Sequence, residues 1–197
     1  MTRLSKEARR EQLLDTAAVL LLDGGARSLT MEGLAARAGV SKALPYLHFG
    51  DAGDVLIALH ERELRGMSIR IGEAVGDAAP GEPQVAAAIG AYLDVIEERG
   101  DVLARLRAPG SPAMRSTGRD RTANEFVAGL LRSTYGLSPR AATVGAAAVF
   151  GAINGLVEAW AHGEASRRDV EDLAISVAGH VGRSASNLVA RRRRAAV

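Results

Sequence analysis

The chain has 197 residues, of which 47% are hydrophobic, 24% are charged and only 4% are aromatic. A chain of this length buries enough surface to fold without covalent staples. The absence of cysteine excludes disulfides, thiolate nucleophiles and cysteine-ligated zinc. The formal net charge is only +2, and of the 25 basic residues only Lys6 and Lys42 are lysine. Because arginine stays ionised and forks onto phosphate or carboxylate, we expect the basic contacts to be mostly arginine contacts.

Two segments bear on secretion and membrane insertion. Residues 1–12 are charged and lack the apolar segment that a secretory signal needs. Residues 141–157 carry no charge, but this stretch is shorter than a typical membrane span and consists mostly of Ala and Gly, with Thr143 and Asn154 inside it. We interpret it as a buried helix, and we expect a cytoplasmic protein without a membrane partner.

Helical periodicity dominates the first half of the chain, and no convincing alternating strand is present. The glycine pair Gly24-Gly25 ends the first periodic segment, as a C-terminal cap would. Thr30 is a candidate N-cap, and Gly39 can adopt the positive φ of a tight turn. The predicted helices of this half cover residues 5–23, 30–38, 41–48 and 52–75.

The segment Pro80-Gly81-Glu82-Pro83 is the clearest break in the sequence. Residues 108–118 contain two prolines and two glycines and are predicted to form a loop. Pro139 suits the first turn of a helix, where its missing N–H costs little. The remaining predicted helices cover residues 84–98, 101–107, 119–135, 139–162 and 167–191. We therefore predict an all-α fold of about nine helices, with a three-helix domain over residues 1–50 and a larger helical bundle over residues 51–197.

Residues 30–49, TMEGLAARAGVSKALPYLHF, contain the motif that is most informative about function. Two short helices around a glycine turn have the geometry of a helix-turn-helix. Ala35 is small where the two helices would cross, and Gly39 supplies the turn. Ser41 is expected to cap the second helix, whose N-terminus then faces a phosphate or a base edge.

With its flanks this segment resembles the DNA-binding domain of the TetR family of transcriptional regulators. The resemblance covers roughly residues 8–60. The motifs that carry it are Gly24-Gly25, Thr30, Ala38-Gly39-Val40-Ser41 and Tyr46-Leu47-His48-Phe49. It implies a double-stranded DNA operator as the partner of the N-terminal domain.

The resemblance also implies a role for individual residues. The residues that open the recognition helix would meet base edges in the major groove; they are Lys42, Ala43 and Leu44. A second group would bond phosphates and set the register on the duplex; it consists of Thr30, Ser41, Tyr46 and His48. For His48 a place at the edge of the core is an equal alternative. A basic arm would neutralise further phosphates, unless it is only a solvated tail; it consists of Arg3, Lys6, Arg9 and Arg10.

Two positions depart from the family pattern. Family members usually carry Ser-Lys-Glu after the aromatic signature, and that lysine holds a phosphate. This chain has Asp51-Ala52-Gly53 instead, so the contact is missing and Asp51 would repel the DNA backbone. Pro45 lies where a regular helix would form an N–H bond, which predicts a distorted or 3₁₀-like first turn in the recognition helix.

Residues 139–162 contain many small residues, which allow another helix to approach closely. A helix this apolar is expected to be buried on more than one face. In the resembling family the last two helices pair across a two-fold axis, which implies a homodimer; a central helix of a monomeric bundle is the alternative. The middle of the chain would then enclose a pocket for a hydrophobic or amphipathic effector. Its candidate lining residues are Met67, Arg70, Tyr92, Ile96, Met114, Phe126, Phe150, Asn154 and Trp160.

No catalytic constellation competes with this interpretation. The sequence contains no phosphate-binding loop, no dinucleotide glycine fingerprint and no metalloprotease motif, so we expect no enzyme, no cofactor and no metal site. The run Arg191–Arg194 is interpreted as a solvated end. We predict a repressor that an effector releases from a palindromic operator; the alternative is a helical small-molecule carrier or scaffold module without DNA binding.

Overall fold

The computed structural model describes residues 4–115 and 119–195. All regular structure in these two ranges is helical, as predicted. The α-helices are α1 (Lys6–Gly24), α2 (Met31–Ala38), α3 (Ala43–Tyr46), α4 (Ala52–Asp77), α5 (Glu82–Leu106), α6 (Arg119–Tyr135), α7 (Pro139–Ala161) and α8 (Arg167–Ala195). Short 3₁₀ helices cover Ala26–Ser28 and Pro112–Arg115, the latter inside the predicted loop.

The described residues contain one α-helix fewer than predicted, because the break expected between residues 98 and 101 is wrong. Helix α5 continues through Gly100 to Leu106. A single glycine weakens a helix by about 1 kcal/mol. Val102, Leu103 and Leu106 follow it and are buried, so their packing outweighs that local cost.

The chain divides into two compact units within the described residues. The first unit combines residues 4–67 with 95–115, and the second combines residues 68–94 with 119–195. Neither boundary falls at residue 50, where the predicted DNA-binding domain ends. The reason is physical: three short helices bury too little apolar surface alone, and parts of α4 and α5 complete their core. The division by function at residue 50 stays a prediction.

The core of the first unit is built on the inward stripe of α1. Leu13, Leu14 and Leu21 are fully buried there, together with Leu34 of α2 and Leu59 of α4. Each leucine buried in this way contributes roughly 1.5–3 kcal/mol through the apolar surface it removes from water. This core positions the helix-turn-helix.

The core of the second unit lies along one face of α7. Its buried residues Ala142, Ala146, Val149 and Ile153 follow helical spacing and belong to one apolar cluster. Gly145 allows a close approach, since a Cβ there would lie 3.4 Å from Val181 and 3.5 Å from Leu131. Helix α7 is long and apolar enough to cross a membrane, yet only 28% of its 18-residue apolar window is buried within the chain. One such helix is weak evidence for a membrane span. Burial on more than one face, which we expected, does not occur within a single chain.

Candidate nucleic-acid interface

The turn of the helix-turn-helix has the geometry that the sequence predicts. The Thr30 hydroxyl oxygen accepts the Gly33 N–H at 3.0 Å and caps α2. Gly39 ends α2 in the left-handed region, at φ +67° and ψ +35°. The Val40 N–H then donates to the Ala35 carbonyl at 3.0 Å. These bonds satisfy orphan groups at both ends of α2 and fix the direction in which α3 leaves.

Helix α3 is short and starts with a 3₁₀-type bond, as Pro45 predicted. The Leu44 N–H donates to the Ser41 carbonyl three residues back, at 3.0 Å. The predicted side-chain cap by Ser41 is wrong: the N-cap position is occupied by Lys42, which has αR geometry and no side-chain cap bond. The tight first turn causes this difference, because it moves the helix start one residue further along the chain. Pro45 itself is buried.

Most of the predicted DNA-contacting residues in and just before α3 are exposed. Ser41, Lys42 and Ala43 are exposed, and Tyr46 keeps 51% of its surface. Leu44 is half-buried, which limits its reach. Leu47, which sequence reasoning did not select, is 72% exposed beside Tyr46. Exposure of a large apolar side chain at the end of a recognition helix could not be read from the sequence, because the shortened α3 decides which side Leu47 occupies.

The basic arm is helical within the described residues rather than a loose tail. Ser5 caps α1 by accepting the Ala8 N–H at 3.1 Å. Lys6, Arg9 and Arg10 thus lie on the first turns of α1, while Arg3 lies outside the described residues. Arg9 is half-buried and donates to Gln12.

Arg10 at the start of α1 contacts the end of the recognition segment, residues 41–49. Its guanidinium carbon lies 4.5 Å from the centroid of the Phe49 ring, a cation–π contact. The His48 ring lies 6.2 Å from the same Phe49 ring. Burial and the positive charges of Lys6, Arg10 and Arg9 lower the pKa of His48, and Glu7 opposes them. Together with these cations His48 forms a positively charged patch. We call it the α1–His48 cluster; it consists of Lys6, Arg9, Arg10 and His48.

The start of α4 carries two carboxylates and no lysine. The Asp51 carboxylate accepts the Asp54 N–H at 2.9 Å, and the Asp54 carboxylate accepts the Gly50 N–H at 3.1 Å. The pair is similar to a capping box, except that Asp54 accepts the N–H of Gly50 rather than that of Asp51. The N–H groups of Gly50 and Asp54 are therefore already bonded to carboxylates. Ala52, where the family carries its lysine, adds no charge.

An ion-pair network ties α1, α4 and α5 together inside the first unit. Arg99 donates two hydrogen bonds to the Glu63 carboxylate, at 2.8 and 2.7 Å. Arg62 donates to the same carboxylate at 3.1 Å and to Asp15 of α1 at 2.7 Å. Burial raises the pKa of Glu63, but the bonds and charges of Arg99 and Arg62 outweigh it and hold the pKa below its ordinary value. No sequence pattern indicated this network.

The predicted effector-lining residues are distributed over both units. Those in the first unit are Met67, which is buried, Ile96, which is half-buried, and Met114, which is exposed. Those in the second unit are Arg70, Tyr92, Phe126, Phe150, Asn154 and Trp160. Tyr92 and Trp160 both pack against the core of the second unit. Phe126 and Asn154 are exposed.

The second unit also has a surface groove of about 580 Å³ between α6 and α7. Small residues such as Ala128 and Ala142 line it, with Glu125 and Arg132 as its charged groups. The buried amide oxygen of Asn124 in its wall has no hydrogen-bond partner among the described residues. None of the predicted effector residues lines this groove.

The described residues contain no group of three or more His, Asp or Glu side chains that could hold a metal ion. The side chains of the run Arg191–Arg194 lie outside the described part of the chain.

Comparison with known proteins agrees with this geometry. Residues 13–59 match the family described as bacterial regulatory proteins, tetR family. The chain is 32% identical over 95 residues to the HTH-type transcriptional activator FasR of Mycolicibacterium smegmatis (strain ATCC 700084 / mc(2)155). That alignment covers 48% of this chain and 43% of FasR, so it spans less than half of the relative's length.

Solved structures share the whole fold. A TetR-like transcriptional regulator from Rhodococcus sp. RHA1 superposes with a TM-score of 0.70 at 24% identity, covering 89% of this chain and 96% of that one. The transcriptional regulator FadR from Bacillus subtilis, solved in complex with stearoyl-CoA, gives a TM-score of 0.68 at 20% identity, covering 87% and 96%. The helix-turn-helix geometry, the family match over residues 13–59 and the shared fold agree, and together they support a transcriptional regulator of the tetR family.

Proposed function

We propose that the chain is a sequence-specific transcriptional regulator that binds a palindromic DNA operator as a homodimer and responds to a small hydrophobic or amphipathic effector. The observation that carries DNA binding is the exposed surface of α3 beside the basic first turns of α1. An exposed short helix next to a cluster of cations is the arrangement that reads base edges while neutralising phosphates. The proposal includes no catalytic step, and a regulator of this kind works in the cytoplasm.

The exposed residues divide by the part of DNA they suit. Lys42 would donate to guanine acceptors, and Ala43 and Leu47 would contact thymine methyl groups. Half-buried Leu44 would add only an edge contact. Phosphates would be bound by Thr30, Ser41, Tyr46, His48 and Arg9. The Thr30 oxygen already accepts a backbone N–H, but its hydroxyl proton is still free to be donated.

The exposed face of α7 supports the homodimer. Val144, Ala147, Ala148, Gly151 and Gly155 recur at helical spacing and are exposed, with Val144 at 65%. These residues are small or apolar, and such a face gains free energy when a second copy covers it. A two-fold dimer of this kind presents two α3 helices to two half-sites of a palindrome.

Gly151→Glu tests the dimer. A Cβ at Gly151 meets nothing within 4 Å, so the monomer accommodates the substitution, but a carboxylate at the centre of the proposed interface remains unpaired. We expect the wild type to elute as a dimer at low micromolar concentration and Gly151→Glu as a monomer. Gly76→Glu, on exposed α4 backbone with equal space, is the matched control and should remain dimeric. A monomeric wild type contradicts the proposed dimer.

The sign of regulation and the effector form the finer part of the proposal. We propose repression, because blocking a promoter requires only DNA binding, whereas activation also needs a polymerase contact. FasR is named an activator, so a reporter gene behind the operator must be measured with and without the protein. FadR was solved with stearoyl-CoA, which supports an effector with a long apolar chain. An effector weakens DNA binding if it favours a dimer whose two α3 helices are wrongly spaced for the operator. By linkage, DNA then weakens effector binding by the same factor. If saturating acyl-CoA binds without changing operator affinity, this form of induction is refuted.

Selection from a pool of random duplex DNA tests operator binding. We expect recovery of a palindrome whose affinity falls steeply with salt, because phosphate contacts release counterions. The double variant Lys42→Ala/Tyr46→Ala should lose this binding and keep its helical circular dichroism, since both side chains are exposed. A carrier or scaffold module is the alternative function; it would bind no DNA, and the double variant would change nothing.

A further inference from the structure

We propose that binding of duplex DNA is coupled to protonation of His48, so that the affinity for DNA rises as the pH falls through the neutral range. This inference rests on the proposed function, because it assigns a regulatory property to the same DNA-binding surface. It is carried by the placement of one imidazole among fixed cations at the contact of α1 with the end of the recognition segment.

The Phe49 ring holds both parts of this arrangement in place. It is 5% exposed, the Arg10 guanidinium carbon lies 4.5 Å from its centroid, and the His48 ring lies 6.2 Å from it at an interplanar angle of 44°. The backbone is fixed as well, since the N–H groups of His48 and Phe49 both donate to the Pro45 carbonyl, at 3.0 and 2.9 Å. His48 is therefore a half-buried side chain on a rigid support rather than a mobile surface group.

The charges that act on the imidazole are mostly positive. Lys6, Arg10 and Arg9 of α1 disfavour the imidazolium, and Glu7 is the α1 carboxylate that opposes them. The recognition segment, residues 41–49, contains no carboxylate. At the start of α4 the carboxylates of Asp51 and Asp54 accept the backbone N–H groups of Asp54 and Gly50, respectively. Burial acts in the same direction as the cations, and the pKa of His48 lies below its ordinary value.

DNA reverses this balance. Phosphates brought against the α1–His48 cluster neutralise Lys6, Arg9 and Arg10, and they attract an imidazolium directly. The pKa of His48 is then higher in the complex than in the free protein, so each protomer takes up part of a proton on binding. By linkage, lower pH favours the complex, and each unit of difference between the two pKa values changes the affinity by about tenfold per protomer.

The chain offers a matched control, because it has only four histidines. His162 and His180 are exposed residues of the second unit, outside the DNA-binding unit. His180→Gln therefore removes an exposed imidazole without touching the cluster. His48→Gln removes the titration but keeps a side-chain N–H that can donate to a phosphate.

Fluorescence anisotropy with a labelled duplex of about 30 base pairs, at constant ionic strength between about pH 6 and pH 8, measures the coupling in the range where an imidazole titrates. We expect wild type and His180→Gln to bind roughly three- to tenfold more tightly at the lower pH, and His48→Gln to bind with little pH dependence. A flat wild-type profile, or an unchanged slope in His48→Gln, overturns the inference while leaving DNA binding intact. Absence of binding at every pH instead refutes the proposed function, and the inference with it.

Nuclear magnetic resonance of the wild-type histidine rings gives an independent measurement that needs no folded variant. The four imidazoles are titrated in the free protein and again with saturating duplex. We expect one ring, His48, to shift its titration midpoint upward when DNA is bound. A His48 ring whose midpoint does not move on DNA binding refutes the coupling.

Discussion

The substitution Glu63→Gln tests the ion-pair network of the first unit. It keeps the shape of the side chain and removes its charge, at a carboxylate that is only 8% exposed. Two charge-assisted hydrogen bonds from Arg99 and one from Arg62 lose their anionic acceptor. In addition, the amide N–H₂ group of the glutamine places hydrogen-bond donors against the guanidinium N–H groups, which are also donors.

The loss of stability depends on how exposed Arg62 and Arg99 are, because both lose their bonds to the Glu63 carboxylate. Truncating one partner of a fully buried pair costs about 3–5 kcal/mol, whereas exposed pairs cost under about 1 kcal/mol. Arg62 is 19% exposed and keeps its bond to Asp15, and Arg99 is 36% exposed and can be hydrated. The loss should therefore lie between the two limits, at about 2 kcal/mol, which lowers Tm by roughly 4–8 °C in a chain of this size.

Urea and thermal unfolding followed by circular dichroism measure this loss. Glu73→Gln, the same change at an exposed position of α4, is the control and should change stability by less than about 0.5 kcal/mol. The pKa of Glu63 is lowered by folding, so its contribution is complete above its unfolded pKa and is lost as the pH falls through its folded pKa. The difference between wild type and Glu63→Gln should thus shrink in acid. Equal stability of Glu63→Gln and Glu73→Gln at neutral pH would refute the reasoning.

Three further substitutions test single structural features. Gly39→Ala forces a Cβ into the left-handed turn and should cost about 1–2 kcal/mol in the free energy of unfolding. Gly182→Ala should cost about 1–3 kcal/mol, because its Cβ would lie 2.3 Å from the Tyr135 ring. Gly66→Ala, with nothing within 4 Å in the middle of α4, is the control for both and should stabilise by up to about 1 kcal/mol; destabilisation there as large as at Gly39 would contradict both arguments. Ala52→Lys places a cation at the start of α4 and should tighten DNA binding. The salt dependence of binding should become steeper, by about one phosphate contact per protomer. An unchanged salt dependence in the anisotropy titration would show that this position does not face DNA.

Local chemistry made much of this protein predictable. Thr30 caps α2 through its own hydroxyl, Gly39 adopts the positive φ that its lack of a Cβ allows, and Pro139 occupies the first turn of α7. The 3₁₀-type start of α3 follows in the same way from Pro45. Each of these features depends on atoms within about one helical turn, so the sequence contains all the information needed.

The predictions that failed depended on competition between local preference and distant contacts. Gly100 suggested a helix break, but buried neighbours keep α5 continuous. Ser41 was a good N-cap by residue type, yet the tight turn places Lys42 at that position. In both cases tertiary packing or backbone geometry outweighs a preference worth about 1 kcal/mol.

The sequence by itself determined the helical fold class, the turn of the helix-turn-helix and the residues of the recognition segment. Only the tertiary structure decided that Arg99 meets Glu63, 36 residues away, and that Arg10 lies over Phe49 beside His48. It also decided that one face of α7 stays exposed in a single chain. The physical reason is that hydrophobic burial depends on total apolar surface and selects among packings, whereas ion pairs and charged clusters form only where that packing brings separate helices together.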